Sequence, residues 1–263
     1  MVFRVALLQY PIYWTDKDKN LCLTEERIAH LAGKADVAVL PEMFTTGFCM
    51  DRPELAEPSD GPTILRLQQL ADKHDIAVTG SFICSEDDHL YNRGFFVAPR
   101  QRPVFIDKAH LYSHGGEDRF FRVGSQRTVI TYKGVKIRLL LCYDLRFPVW
   151  ARQDKNNMYD LLLVSANWPE CRIAYWDALL AARSIENQCY IAGVNPVGDD
   201  GMNLHYNGHS VAYDTHLHPL VAFQDNEEGT KVAAFDIDSL HHFRETLPLW
   251  KDGDEFYFER PEK

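Results

Sequence analysis

The sequence has no long apolar run, no paired cysteine motif and no surplus of positive charge. Each absence removes a class of protein. No stretch reaches the roughly 18 uninterrupted apolar residues of a membrane span; the longest, Leu139–Tyr143 and Leu161–Ala166, are strand-sized. The first residues, MVFRVALLQYPIYW, alternate like a strand. They lack the charged n-region and small-residue cleavage site of a signal peptide, so a cytoplasmic chain without membrane contact is expected. The six cysteines, at 22, 49, 84, 142, 171 and 189, include no CxxC and are irregularly spaced. They read as reduced thiols and not as a disulfide framework. Twenty-eight Lys and Arg against 38 Asp and Glu leave a net charge of −10, which suits no nucleic-acid partner. A small anionic substrate stays possible, because one local Arg or Lys can receive it. No GxGxxG or GxxxxGK[ST] follows a strand-like segment, and there is no HExxH or Cys/His cluster of ligand spacing, so neither cofactor nor metal is expected. His216 and His218, and the adjoining His241 and His242, read as solvated and not as metal ligands.

What is present is a core-forming sequence. Of 263 residues, 46% are hydrophobic, ample for a large buried interior. Strand and helix signals alternate. Strands are expected at Val2–Gln9, Asp36–Leu40, Ile76–Cys84, Tyr91–Pro99, Asp160–Ala166 and Tyr190–Val194, and a hairpin at Thr128–Tyr132 and Val135–Leu141. Strand-like pieces follow at Gly208–Asp214, Val221–Gln224 and Lys231–Ile237. Helical spacing marks Asn20–Ala32, Pro62–His74 and Ile173–Asn187, with shorter helices at Phe147–Asn156 and Ser239–Arg244. No repeat, low-complexity tract or linker interrupts the pattern. One domain over 1–263 is expected, an α/β architecture of layered sheets with helices outside.

Three segments put a reactive side chain just past an apolar strand, where α/β sheets commonly build their sites. Glu42 follows VAVLP; burial raises a carboxylate's proton affinity and makes it a competent base. Lys108 follows VFID, and a buried ammonium can stabilise developing negative charge. Cys142 follows LLL at a strand-to-helix junction, where the Tyr143 N–H can join an oxyanion hole and a helix N-terminus would favour the thiolate. Taken singly, each has a plain structural reading: a loop acid, a solvated lysine, a small buried hydrophobe. Together and in this order they form a constellation for nucleophilic catalysis.

LPEMF, DKAHLY and LLCYDLRFP, around Glu42, Lys108 and Cys142, resemble the three signatures of the nitrilase superfamily, the carbon–nitrogen hydrolases. The likeness runs from VALLQYP to the final strands. It implies an α-β-β-α sandwich that dimerises through its helices, so a homodimer or higher homo-oligomer is expected, and a Glu42–Lys108–Cys142 triad. By its distance to Gly124, Glu117 matches the family's second glutamate, which orients the lysine. LPEMFTTGF and ANWPECRIAYWDALLAARSIENQCYIAGVNPVG resemble the omega-amidase branch. That branch hydrolyses the terminal amide of 2-oxoglutaramate or 2-oxosuccinamate to the 2-oxo acid and ammonia. The resemblance implies a small-molecule amide substrate, no cofactor, and an aromatic, Phe48, near the substrate. Trp168 reads as a pocket wall or as core, and Arg172, just after the Asn167-Trp168-Pro169 turn, as a bidentate ligand for a far carboxylate or as a solvated loop residue. Nitrilase, N-carbamoyl amidase and acyl-transfer activities share the chemistry, and an inactive binding protein could share the fold. Asp144 and Arg146 read as an ion pair shaping the turn. Cys22, Cys84 and Cys189 read as packing residues, and Cys49 and Cys171 as loop residues near the pocket.

Overall fold

The structure, a computed structural model, describes residues 1–155 and 157–259. In chain order the first half holds β1 (Val2–Gln9), α1 (Lys17–Ala29), β2 (Val37–Val39), α2 (Pro62–His74), β3 (Ala77–Glu86), β4 (His89–Val97) and β5 (Val104–Asp107). The second half holds β6 (Ile130–Tyr132), β7 (Val135–Leu141), α3 (Pro148–Ala151), β8 (Leu161–Ser165), α4 (Ile173–Asn187) and β9 (Tyr190–Val194). It continues with β10 (Val197–Asp199), β11 (His205–Asn207), β12 (Val211–Tyr213), β13 (Pro219–Ala222), β14 (Gly229–Asp236) and α5 (Ile237–Thr246). Among the described residues none of the helices is long and apolar enough to cross a membrane.

Two six-stranded mixed sheets carry the fold, in the orders β14-β1-β2-β3-β4-β5 and β13-β12-β9-β8-β7-β6. Side-chain alternation explains the layers, because successive residues of a strand point to opposite faces. On β1, Phe3, Val5 and Leu7 enter the core between the sheets, while Ala6 and Leu8 pack outward with Leu21 and Ile28 of α1 and Ile64 and Leu67 of α2. On β8, Leu161 and Leu163 face the same inner core, while Leu162 and Val164 pack outward with Trp176 and Leu180 of α4. Strands buried on both faces read as continuous apolar runs, as β2 and β8 do. The result is the expected α-β-β-α sandwich.

The helix expected over Phe147–Asn156 stops at Ala151. Arg152 takes an extended conformation, and the Gln153 N–H is claimed by Asn187 Oδ1 at 2.8 Å; Asn156 lies outside the described residues. Cys22 is exposed on α1 and is no packing residue, whereas Cys84 and Cys189 are buried. His218 is solvent-exposed, but His241 is more than a solvated histidine: its Nε2 meets Asp160 Oδ1 at 2.9 Å.

Candidate active site

Strand ends from both sheets converge on one pocket. Glu42 lies just beyond β2, and its backbone N–H reaches across to the Ala166 carbonyl beyond β8 at 3.3 Å. Lys108 directly follows β5, its N–H held by the Asn92 carbonyl of β4 at 3.0 Å. Cys142 directly follows β7 as the first residue of a 3-10 turn, Cys142–Arg146, with φ +41°. That left-handed conformation is costly for a residue with a Cβ. Glu117 is carried by the loop after Lys108, which returns so closely that a Cβ on Gly124 would stand 2.1 Å from the Asp107 carbonyl oxygen; only glycine fits there.

Glu42, Lys108 and Glu117 form a buried cluster. Lys108 Nζ donates to Glu42 Oε1 at 2.8 Å and to both Glu117 oxygens at 3.0 and 2.9 Å. Side-chain exposure is 0% for all three, so bulk solvent does not screen the charges. Burial alone would push the Lys108 ammonium down, but Glu117 and Glu42 outweigh it and hold it above its ordinary value. Burial pushes the Glu117 carboxyl up, against the pull of Lys108. Tyr112 N–H donates to Glu117 Oε2 at 2.6 Å, and Asn167 N–H to Glu42 Oε2 at 3.1 Å.

Cys142 lines the pocket with Lys108 and Tyr143. Its thiol donates to the Asn167 carbonyl at 3.7 Å. Burial and the nearby Glu42 charge push the thiol well above its ordinary range, with Lys108 only partly opposing them. Burial, the largest of these causes, works against the thiolate that the turn's N-terminus is expected to favour. As the second residue of that turn, Tyr143 has an N–H without an intrahelical acceptor, free for an oxyanion. The arrangement can take a proton from sulfur, hold a negative oxygen between an ammonium and an N–H, and return a proton to a leaving group.

Phe48, Trp168 and Arg172 all line the same pocket. The Phe48 ring centroid is 5.2 Å from Lys108 Nζ. Trp168 Nε1 donates to the Arg172 carbonyl at 2.8 Å, and the Arg172 guanidinium lies 5.7 Å from the Tyr112 ring. Arg146 also lines it, and the expected Asp144–Arg146 ion pair is absent. Residues two apart on a turn do not face each other. Asp144 turns to His110, and Arg146 turns to the pocket wall, its guanidinium carbon 4.8 Å from the Trp168 ring centroid and 5.2 Å from that of Tyr175. Cys49 is buried beside Asp51 and Cys171 is exposed; neither lines the pocket, although both their neighbours Phe48 and Arg172 do.

Three asparagines escaped sequence reasoning. Asn92 donates to Glu42 Oε1 at 2.7 Å and Glu117 Oε1 at 3.1 Å; its only signal was a polar residue in an apolar strand. Asn167 clasps the Glu42 backbone, donating to its carbonyl at 2.6 Å. Asn195, past β9, accepts the Trp168 N–H at 2.6 Å.

A cysteine at a strand end, backed by a buried Glu–Lys–Glu cluster on an α-β-β-α sandwich, is the arrangement of the nitrilase class of hydrolases. Residues 4–245 match the carbon–nitrogen hydrolase family, and the chain belongs to that family. It is 37% identical over 254 residues to the omega-amidase YafV of Escherichia coli K12, covering 96% of this chain and 97% of that protein. It is 33% identical to a 2-oxoglutaramate amidase of Bacillus subtilis 168, covering 96% and 98%. The crystal structure of XC1258 from Xanthomonas campestris, a superfamily member with an arsenic adduct in its active site, superposes with TM-score 0.95 at 34% identity, covering 98% of this chain and all of that one.

Proposed function

We propose that this chain is an omega-amidase, releasing ammonia from the terminal amide of a short 2-oxo dicarboxylate monoamide such as 2-oxoglutaramate or 2-oxosuccinamate. The observation that carries the reading is the pairing of the Glu42–Lys108–Glu117 cluster behind Cys142 with two pocket guanidiniums, Arg146 and Arg172, that have no ion-pair partner among the described residues. Cationic side chains left unpaired in an aromatic pocket suit a carboxylate-bearing ligand. Arg146, with the Trp168 and Tyr175 ring centroids 4.8 and 5.2 Å from its guanidinium carbon, is more closely held than Arg172 and is the better anchor for that carboxylate.

In the reaction, Glu42 takes the Cys142 proton as sulfur attacks the amide carbon. The tetrahedral oxyanion sits between the Lys108 ammonium and the Tyr143 N–H. Glu42 passes its proton to the departing nitrogen, the C–N bond breaks, and ammonia leaves a thioester on Sγ. Glu42 then takes a proton from water, whose hydroxide adds to the thioester carbon; the C–S bond breaks, the acid departs and the thiol regains its proton. Glu117 and Asn92 hold Lys108 and Glu42 in place throughout.

The expected homodimer would have exposed apolar side chains to bury on α4, Tyr175 and Ile185, and on α3, Val149. The test of function is a panel read by ammonia release. Turnover of 2-oxoglutaramate, with carbamoyl amino acids and nitriles inert, supports the reading; the reverse order of substrates overturns it.

A further inference from the structure

Two loops distant in sequence wall the pocket. One follows Glu42 and carries Phe48 and Met50; the other joins β10 to β11 and carries Met202 and Leu204. Neither belongs to a large sheet, so whatever fixes their separation fixes the width of the slot in front of Cys142. Trp14, outside the pocket lining, lies between them. A Cβ on Gly201 would stand 2.3 Å from Trp14 Nε1 and 2.4 Å from Cε2, and a Cβ on Gly47 would stand 2.9 Å from Cε3 and 3.2 Å from Cζ3. The indole thus rests its pyrrole ring on Gly201 and its benzene ring on Gly47, and glycine at both positions lets the backbones close on it.

Both loops are tied where Trp14 holds them. Thr15 N–H donates to the Thr46 carbonyl at 2.9 Å, and Asn20 Nδ2 bridges the carbonyls of Tyr13 and Thr45 at 2.7 and 2.8 Å. Across the slot, Asp200 Oδ1 accepts the N–H groups of Met202 and Leu204 at 2.7 and 2.9 Å, and Asp200 Oδ2 accepts the Tyr206 hydroxyl at 3.0 Å. Two stiffened loops with one rigid ring between them make a spacer.

We infer that Trp14 is a positioning residue that sets the width of the amide pocket, holding the Phe48 and Met202 loops at a separation that admits a narrow, unbranched acyl chain. The inference rests on reading this pocket as the amide site. Misplacing a pocket wall weakens binding more than chemistry when the reacting groups sit on other elements.

The test compares Trp14→Ala, Trp14→Phe and Gly201→Ala with the wild type in two ways. Steady-state kinetics use whichever amide the wild type hydrolyses. Labelling of Cys142 by iodoacetamide and by the bulkier N-phenylmaleimide is followed by peptide mass, with exposed Cys22 and Cys171 as internal references. Trp14→Ala removes the spacer, lets the two loops close in, and should lower the bulky-to-small labelling ratio at Cys142 by about fivefold or more. It should raise KM by roughly tenfold with kcat within about threefold. Gly201→Ala instead adds a Cβ against the indole and pushes the loops apart, so it should raise the ratio, while Trp14→Phe stays near wild type. Folded variants, judged by a cooperative melt and unchanged reference labelling, that keep the wild-type ratio and KM overturn the inference. Should Trp14→Ala fail to fold, an unchanged Gly201→Ala overturns it equally. The labelling ratio needs no substrate, so inertness toward 2-oxoglutaramate sinks the omega-amidase reading alone, and an unchanged ratio in an active enzyme sinks this inference alone.

Discussion

Asp144 Oδ1 receives both the backbone N–H of His110, at 2.9 Å, and its imidazole Nδ1, at 2.8 Å. The other oxygen, Oδ2, receives the Leu141 N–H at 3.3 Å. One carboxylate therefore joins the segment that carries Lys108 to the turn that carries Cys142, and His110 is further pinned by stacking on Phe147 at 3.7 Å. Asp144→Asn keeps the shape but cannot accept all three bonds as strongly. It should lower kcat/KM by about 10²-fold, with a smaller change in melting temperature than in rate. Steady-state kinetics beside thermal melts check this; a large melting shift with an unchanged rate would show that the link is purely structural.

Removing Lys108 should cost stability as well as activity. Lys108→Ala leaves Glu42 and Glu117 buried side by side without a counter-charge, a change worth about 3–5 kcal/mol of destabilisation. Adding Glu117→Gln to that variant relieves the repulsion and should restore part of the stability while activity stays absent. Urea titration of the two variants measures the difference, and equal stabilities would argue that the cluster is not held by charge.

The pH dependence has a definite sign. In the folded protein the Cys142 thiol sits well above its ordinary 9.0 because of burial and Glu42, and Lys108 sits above its ordinary 10.5 because Glu117 and Glu42 outweigh burial. From pH 9.0 upward the folded state keeps protons that the unfolded chain has released, so this stability is full below pH 9.0 and is lost as pH rises toward the folded values. The stability of the wild type relative to Cys142→Ala should therefore be constant from pH 7 to about 9 and fall above it. A relative stability that rises with pH in that range would mean a resting thiolate.

Arg146 and Arg172 can be separated by the ligand they hold. If Arg146 binds the substrate carboxylate, Arg146→Ala loses a charge-assisted contact of about 1.5–3 kcal/mol, roughly 10–150-fold in kcat/KM. The loss should appear for a 2-oxo dicarboxylate monoamide and not for an aliphatic amide lacking the carboxylate. Arg146→Lys should recover only part of it, since the planar fork that lies over the Trp168 ring is gone. An equal loss for both substrates would assign Arg146 to the structure of the turn.

Legibility followed how local each signal was. Pro62–His74 and Ile173–Asn187 were readable to the residue because helical periodicity and a proline in the first turn are properties of the chain itself. Glu42, Lys108 and Cys142 were readable only as a set; each alone looked like an ordinary strand-end residue. Asn92 was unreadable, because its meaning depends on β4 lying beside β5 and on two carboxylates brought from separate loops. Arg146 was misread for the opposite reason: nearness in sequence to Asp144 suggested a pair that the geometry of a 3-10 turn forbids. Trp14 gave no signal, since its role exists only where two glycines from distant loops meet one ring.

The most direct test of the account is peptide mass analysis of enzyme quenched during turnover of 2-oxoglutaramate, beside Cys142→Ala under the same conditions. The account predicts an acyl adduct on the peptide bearing Cys142, labile to base, and no ammonia release by Cys142→Ala while its fold is intact. Ammonia released at the wild-type rate by Cys142→Ala, or an adduct confined to another residue, would contradict it.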